Sequence, residues 1–384
     1  RILDEDHYGM KDEKKEILEH IAVQLRTGAP GGQVLCLIGP PGIGKTSLAE
    51  SIARATGRKF AAIELNKISD PSQIQGQPRG YGLPLPGILI SAIREAGTDN
   101  PVILLDDIDE IPESSANGDP SVALIEPLNS KRNKAFRDHY LDIDYDLSKV
   151  MFICTAKDSD SILPSLASKM KFVSFSGYTR EEKIEIARRY LVPKQMKESG
   201  LTENEISFDS SALERLMDEY TRESGVCWLE ECIGKICGKA VMQLATGHTE
   251  PIQITVENLE SYSGAPQIPS LHLPCEDEVG SVIGLAWTSA GGEPMLIQVV
   301  TTGTSDSGLI ATGNLGKTIR ESVTDAIGMV KSHATQFGIP AEKIRTTELH
   351  VHLPNGIGKD GPSAGLAIAT AIISELTGIK VNHK

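Results

Sequence analysis

The residues whose types and spacing most clearly indicate a chemical role are those from 39 to 46, which read GPPGIGKT. They fit the pattern G-x-x-x-x-G-K-[ST], in which a glycine-rich loop surrounds phosphate groups. An apolar run at 34–38 precedes the loop and a helix-prone run at 47–55 follows it, as this motif requires. We therefore expect Lys45 to reach the β- and γ-phosphates of a nucleotide and the Thr46 hydroxyl to bind Mg²⁺. The alternative is a glycine and proline turn that happens to precede a lysine.

Two acids, Asp106 and Asp107, end the next apolar run at 102–105. A buried parallel strand delivers its last side chains to the carboxyl edge of the sheet, where nucleotides bind. The first acid would help to hold Mg²⁺ beside Thr46, and the second would orient the attacking water. We expect the nucleotide contacts of both motifs to be Gly39, Pro40, Pro41, Gly42, Ile43, Gly44, Lys45, Thr46, Ser47, Asp106 and Asp107.

A second chemical centre is Ser363, which follows Gly361 and Pro362 and opens a helix-prone run. A serine at the start of a helix is most often a cap, because its oxygen accepts from free N–H groups. It can also be a nucleophile, since the same N–H groups would stabilise an oxyanion. His350 and His352 alternate on a predicted strand, which fits a metal pair or ordinary packing.

The elements that would position these residues change in character along the chain. Alternating apolar strands and helices predict an α/β domain with a doubly wound parallel sheet, and a helix is predicted at 119–128. Helix-prone segments such as 179–191 follow, and then β-rich runs with one long helix at 317–337. The predicted parts are an α/β nucleotide-binding domain (1–177), a helical domain (178–262), a linker (263–278) and the start of an α+β domain (279–384).

Composition limits the classes of function. The chain has 384 residues and a formal charge of −14, which disfavours a general binder of nucleic acid or anionic membrane. A local basic patch stays open, but no nucleic-acid partner is indicated. No apolar run approaches the ~18 residues of a membrane span. The six cysteines lack metal-site spacing, so we expect reduced thiols and a cytoplasmic protein.

Taken together, these motifs resemble the Lon family of ATP-dependent proteases. The order of phosphate loop, acid pair, helical domain and serine motif matches over nearly the whole chain. The most specific matches are GLAWT at 284–288 and KDGPSAG at 359–365. Further matches are HYG at 7–9, GDP at 118–120, DHYL at 138–141, YT at 178–179 and YTRE at 220–223.

The resemblance implies an AAA+ ring of six identical subunits that binds ATP and Mg²⁺. Such rings thread unfolded or damaged proteins through a pore into a chamber with Ser-Lys dyads. By resemblance, Ser363 is the nucleophile, Tyr81 is the pore-loop aromatic that grips substrate, and Tyr8 is part of the adenine pocket. The location would be the cytoplasm or, alternatively, the mitochondrial matrix or another organelle.

The sequence departs from the family pattern around the nucleotide. These departures from the pattern predict slow or absent ATP hydrolysis. An arginine finger alone contributes about 10³–10⁵ in rate, and a lysine in its place lacks the planar guanidinium group of arginine. The alternative is that Lys157 and Lys169 compensate from slightly different positions. The departures are Asp107 for a glutamate, Thr155-Ala156-Lys157 where an asparagine is expected nearby, Lys169 for the arginine finger, Cys227 for the sensor arginine and Gly82 for a bulky apolar residue.

The family's catalytic lysine lies further downstream than residue 384, and neither Lys359 nor Lys380 takes its place. A Ser-Lys centre needs that amine as its base, so we expect this chain by itself to be inactive as a peptidase. The start lacks a methionine, and we expect a longer natural protein. The sequence thus predicts an ATP-dependent serine endopeptidase. The alternatives are a non-hydrolysing ring subunit that holds or scaffolds clients and, less favoured, a nucleic-acid remodeller.

Overall fold

In a computed structural model of the protein, the phosphate loop lies at the carboxyl edge of the parallel sheet of an α/β domain. The structure describes residues 1–27, 32–80, 84–112, 118–268, 274–288, 291–302, 309–313, 315–340, 342–343, 347–354 and 361–382. They fall into two compact units, 1–266 and 267–384. None of the helices among these residues is both long and apolar enough to cross a membrane.

Strands and short hairpins make up the β structure. In chain order the strands are β1 (Val34–Ile38), β2 (Phe60–Glu64), β3 (Val102–Asp106), β4 (Phe136–Asp138), β5 (Ile143–Tyr145), β6 (Met151–Ala156), β7 (Met170–Ser174), β8 (Ile206–Phe208), β9 (Ile252–Ile254), β10 (Ser281–Thr288), β11 (Gly291–Thr302), β12 (Leu309–Thr312) and β13 (Glu348–His352).

The α-helices are of very different lengths. They are α1 (Ile2–Asp6), α2 (Lys11–Thr27), α3 (Lys45–Ala55), α4 (Pro71–Gln75), α5 (Ile88–Ala96), α6 (Pro120–Ala123), α7 (Pro164–Ala167), α8 (Arg180–Ile186), α9 (Val192–Glu198), α10 (Ser210–Tyr220), α11 (Cys227–Ala245), α12 (Leu259–Ser263), α13 (Lys317–Ser332) and α14 (Gly365–Thr377). Short 3₁₀ turns cover Leu65–Lys67, Ile108–Glu110, Asn133–Ala135 and Pro362–Ala364, and a π turn covers Ala187–Leu191.

The central sheet of the first unit has the strand order β2-β3-β6-β1-β7, and all its neighbours are parallel. This confirms the predicted doubly wound parallel sheet. Its central strands are buried on both faces because alternate side chains enter two separate cores. Leu35 and Leu37 pack with helices α2 and α3, whereas Cys36 packs on the α5 side. The carboxyl edge of this sheet carries the phosphate loop and both acids.

Helices α8 to α12 and the small parallel pair β8–β9 form the lid of the first unit, around a core that includes Leu216, Ile233 and Leu259. The second unit has a mixed sheet of order β10-β11-β13-β12, in which only β12 and β13 run parallel among its pairs. Helices α13 and α14 cover one face of it through Val323 and Ile372.

Three helix predictions needed correction. The helix expected at 119–128 covers only Pro120–Ala123, because Pro127 has no N–H to donate to the Ala123 carbonyl and its ring would clash with that carbonyl in a continued helix. The helix expected at 317–337 ends at Ser332. After it the chain forms turns with bonds three residues apart, such as the Gln336 N–H to the His333 carbonyl oxygen at 2.9 Å, and Gly338 stops the segment in a left-handed conformation with a φ of 68°. The segment expected to end at residue 191 instead continues, through the π turn, into α9.

Candidate functional site

The phosphate loop joins β1 to α3. Gly44 precedes the helix with a φ of 87°, a left-handed conformation that glycine adopts without strain. Lys45 is buried, and its ammonium donates to the carbonyl oxygens of Gly39 at 2.6 Å and Pro40 at 3.0 Å. Burial lowers the pKa of Lys45, and nearby carboxylates, Asp107 foremost, oppose that shift. The loop thus holds a positive charge where a polyphosphate would need it.

The two residues expected to bind magnesium face each other. The Thr46 hydroxyl oxygen lies 3.3 Å from Oδ2 of Asp106. Thr155, near the end of β6, donates its hydroxyl to Oδ1 of Asp106 and accepts the N–H of Asp107 at 2.9 Å. Hydroxyl and carboxylate oxygens are the ligands that Mg²⁺ prefers. Thr46 and Asp106 could therefore hold the ion together with nucleotide oxygens.

Asp107 follows β3 with a φ of 55°. It borders the cleft that Lys45, Thr46 and Asp106 also line. Burial raises the pKa of its carboxyl group, and the negative charges of Asp106 and Glu110 raise it further. A carboxylate with a raised pKa is a better proton acceptor than an ordinary one. The shorter side chain of aspartate nevertheless limits how far that base extends into the cleft.

Two lysines that could compensate for the missing arginines have partners on their own domain. The Lys157 ammonium forms an ion pair with Glu110, which raises the pKa of the lysine. Its backbone N–H donates to Asp109 at 2.8 Å. The Lys169 ammonium donates to the carbonyl oxygen of Ser165 at 3.0 Å. Both ammonium groups therefore already have a polar partner within the α/β domain.

The lid contacts the phosphate loop through backbone. The N–H of Val226 donates to the carbonyl oxygen of Gly42 at 3.0 Å. A Cβ on Gly225 would lie 2.3 Å from the carbonyl carbon of Gly42, so only glycine fits there. The Cys227 sulfur is close too, 3.1 Å from where a Cβ on Gly42 would stand. The residue expected as a sensor arginine is therefore a neutral thiol at the loop.

At another part of the cleft, the guanidinium carbon of Arg189 lies 5.3 Å from the ring centre of Tyr8, a cation–π distance. His7 beside it is buried, and its Nε2 lies 3.3 Å from the Ser51 hydroxyl. Burial lowers the pKa of His7. An aromatic ring and a guanidinium plane suit a nucleotide base, as the resemblance implies for Tyr8.

These groups surround one open cleft of about 1060 Å³ between the α/β domain and the lid. This volume is at the upper end for small-molecule sites. Gly39 and Pro40 do not border the cleft but bind Lys45 through their carbonyl oxygens. The predicted residues that do border it are Tyr8, Pro41, Gly42, Ile43, Gly44, Lys45, Thr46, Ser47, Asp106 and Asp107. Lid residues that sequence reasoning missed are Arg189, Lys194 and Glu230. They lie on three different helical elements, and no short sequence motif marks them.

Ser363, in the second unit, is exposed in the 3₁₀ turn Pro362–Ala364, directly before α14. The N-cap of α14 is Ala364, and no side-chain cap hydrogen bond forms there or at the preceding 3₁₀ turn. Ser363 therefore does not act as the cap of α14, and its role as a nucleophile stays a prediction. Lys359 lies outside the described residues, as does Tyr81 of the expected pore loop.

His350 and His352 both place a ring nitrogen 2.8 Å from the Thr312 hydroxyl oxygen. Across the described residues, no three side chains form a metal-binding cluster. The shared threonine contact favours the packing interpretation of these histidines.

Family models match three consecutive parts of the chain. Residues 35–178 match the ATPase family associated with various cellular activities. Residues 197–252 match the Lon protease AAA+ ATPase lid domain. Residues 253–384 match the Lon protease (S16) C-terminal proteolytic domain.

Curated relatives agree with this order. The chain is 44% identical over 383 residues to "Lon protease" of Desulforamulus reducens, covering 100% of this chain and 47% of the relative. It is 45% identical over 382 residues to "Lon protease" of Trichlorobacter lovleyi, covering 99% and 47%, and 45% identical over 383 residues to "Lon protease 1" of Myxococcus xanthus, covering 100% and 47%. The chain thus spans about half the length of these relatives. With all three parts matched and such identity along its whole length, the chain belongs to the Lon protease family.

Proposed function

We propose that this chain provides the nucleotide-binding ring module and part of the protease domain of an ATP-dependent serine endopeptidase. The observation that carries the proposal is the position of Ser363, exposed before a helix in the region matched by the Lon proteolytic domain. A phosphate loop with Lys45 and Thr46 in place, in the same chain, supports dependence on ATP.

In the proposed peptidase reaction, the Ser363 hydroxyl oxygen attacks the carbonyl carbon of the scissile peptide bond. A lysine beyond residue 384 would accept the hydroxyl proton and return it to the leaving amine. N–H groups at the start of α14 would stabilise the oxyanion. Unfolded or damaged proteins are the proposed substrates, gripped by Tyr81 in the pore of a homo-hexamer, and the cytoplasm is the proposed location.

On the nucleotide side, Lys45 would neutralise phosphate charge, and Thr46 with Asp106 would hold Mg²⁺. Bound Mg²⁺ would supply charge neutralisation at the phosphates. We propose that hydrolysis is slow, for three reasons that concern separate residues. Asp107 has a short reach, the Lys157 ammonium is paired with Glu110, and Cys227 brings no charge to the loop.

The same three features favour a second candidate, a ring subunit that binds ATP without hydrolysing it and scaffolds or holds client proteins. A thiol at the lid contact and an engaged Lys157 are what such a subunit could tolerate. The two candidates share nucleotide binding and differ in turnover and in proteolysis.

The deciding experiment uses the full-length protein. ATP binding, ATP turnover and casein degradation are measured for the wild type, for Lys45→Ala and for Ser363→Ala. The peptidase proposal expects degradation that is lost in Ser363→Ala while ATP binding persists. Absent degradation with retained ATP binding would favour the scaffold, and ATP turnover at an ordinary AAA+ rate would contradict slow hydrolysis.

A further inference from the structure

We propose that Lys194 of the lid is a phosphate-contacting residue that recognises the terminal phosphates of a bound nucleoside triphosphate. This inference rests on the proposed nucleotide binding and adds a residue that determines preference for triphosphate over diphosphate.

The first support is position. Lys194 lies on α9 and borders the cleft together with the phosphate-loop residues. Burial raises the pKa of the Cys227 thiol, and the ammonium groups of Lys194 and Lys45 both oppose that rise. Lys194 and Lys45 therefore both lie near the Cys227 thiol. The phosphate-loop motif places Lys45 at the β- and γ-phosphates.

The second support is the distribution of charge on the lid. Within the lid, all of whose residues are described, two cationic side chains border the cleft: Arg189 and Lys194. Arg189 lies over the ring of Tyr8 and is paired with Glu185. It therefore lies in the part of the cleft expected to hold the adenine base of the nucleotide. Lys194 is the lid cation that shares the surroundings of the Cys227 thiol.

The third support is that Lys194 can exchange its partner Glu230 for a more highly charged one. Its ammonium lies 2.7 Å from Oε1 of Glu230, and its side chain is 56% exposed. The Glu230 side chain is only 26% exposed, but water reaches the lysine end of the pair, and such partly exposed ion pairs contribute modestly to stability. Glu230 also accepts from the Gln195 amide at 3.1 Å, so it keeps a donor when the lysine leaves. A triphosphate carries more negative charge than one carboxylate, and it would draw the flexible ammonium away.

The test measures affinity, with no need for turnover. Titration calorimetry of the whole chain with Mg²⁺ follows binding of a non-hydrolysable ATP analogue and, separately, of ADP. Lys194→Gln should weaken analogue binding about tenfold or more, as expected for a charge-assisted hydrogen bond, and ADP binding less than about threefold. Lys194→Arg should restore most of the analogue affinity. Lys197→Gln, which alters an exposed lysine on the same helix that does not border the cleft, should change neither affinity.

A double variant separates direct contact from simple neutralisation of Glu230. If Lys194 contacts phosphate, Lys194→Gln with Glu230→Gln stays weak for the analogue. Full recovery in that double variant, or an unchanged preference for triphosphate in Lys194→Gln, would overturn the role of Lys194 while leaving nucleotide binding intact. A wild-type chain that binds neither nucleotide would instead overturn the proposed function, and this inference with it.

Discussion

Thr155 forms hydrogen bonds with both acids of the candidate nucleotide site. Its hydroxyl donates to Asp106 and accepts the Asp107 N–H, and the side chain is fully buried. Sequence reasoning treated this position only as a departure from an expected asparagine nearby. The pairing could not be read from the sequence, because 49 positions separate Thr155 from Asp106 and only the sheet order β3-β6-β1 brings them together.

Replacing Thr155 with valine tests how much its hydroxyl group contributes to the stability of this site. Valine has nearly the same shape but leaves the partly buried N–H of Asp107 without its acceptor, so we expect a loss of about 1 kcal/mol in the free energy of unfolding. Urea unfolding measures this loss, and Mg²⁺-dependent nucleotide affinity should fall with it. Thr155→Ser, which keeps the hydroxyl, is the control, and equal stability of the two variants would refute the role.

His7 predicts a dependence of stability on pH. Burial is the largest cause of its lowered pKa, which Asp6 opposes, so the folded state favours the neutral ring. As the pH falls below the ordinary value of 6.5, the unfolded chain takes up a proton that the folded chain resists, and stability falls. His7→Gln should flatten the decline of the thermal midpoint between about pH 7 and 5.5. His139→Gln, at an exposed histidine, should keep the wild-type decline, and an unchanged slope in His7→Gln would argue against this assignment.

Among the elements, the lid carries the features that sequence reasoning described least well. The helix predicted to end at residue 191 instead passes through the π turn Ala187–Leu191 into α9. Pro193 lacks an N–H, but it stands in the first turn of α9, where that donor is least needed. The continued helix is what places Lys194 at the cleft. The β4–β5 hairpin was also missed, because its strands are only three residues long.

The contact between lid and loop predicts opposite effects of two glycine substitutions. Gly225→Ala would put a methyl group 2.3 Å from the Gly42 carbonyl carbon, so the lid must move, and both the thermal midpoint and nucleotide affinity should fall. Gly238→Ala lies within α11 with nothing within 4 Å, and it should stabilise by about 0.5–1 kcal/mol through helix propensity. Thermal unfolding with and without nucleotide measures both. A harmless Gly225→Ala would mean that the contact does not constrain the lid.

At the scale of the whole molecule, the two candidate centres belong to different compact units. The phosphate loop and lid lie in residues 1–266, and Ser363 lies in residues 267–384. Each unit has cores of its own, as shown by Leu37 in the first and Ile372 in the second. The chain's two tryptophans, Trp228 and Trp287, fall one in each unit, which allows each unit to be followed separately.

Nucleotide should therefore stabilise the first unit selectively. With a non-hydrolysable ATP analogue and Mg²⁺ at about 100 times the dissociation constant, the gain is about 2.7 kcal/mol. In a Trp287→Phe variant, where Trp228 reports on the first unit, the midpoint should rise by about 5–10 °C. In Trp228→Phe the signal of the second unit should shift much less, and Lys45→Ala should abolish the first shift. A shift seen only through Trp287 would contradict a nucleotide site in the first unit.

Residue types and short spacings along the chain are enough to predict the local parts of this protein. The phosphate loop, the acid pair after β3, the buried parallel strands and the serine before α14 were all predicted, because each depends on residue types at short, regular spacing. Contacts between distant groups follow only from the folded arrangement. Thr155 between the acids, Cys227 against Gly42, and Lys194 paired with Glu230 depend on sheet order, lid packing and a π turn. Such contacts join residues far apart in the chain, and no local pattern records them.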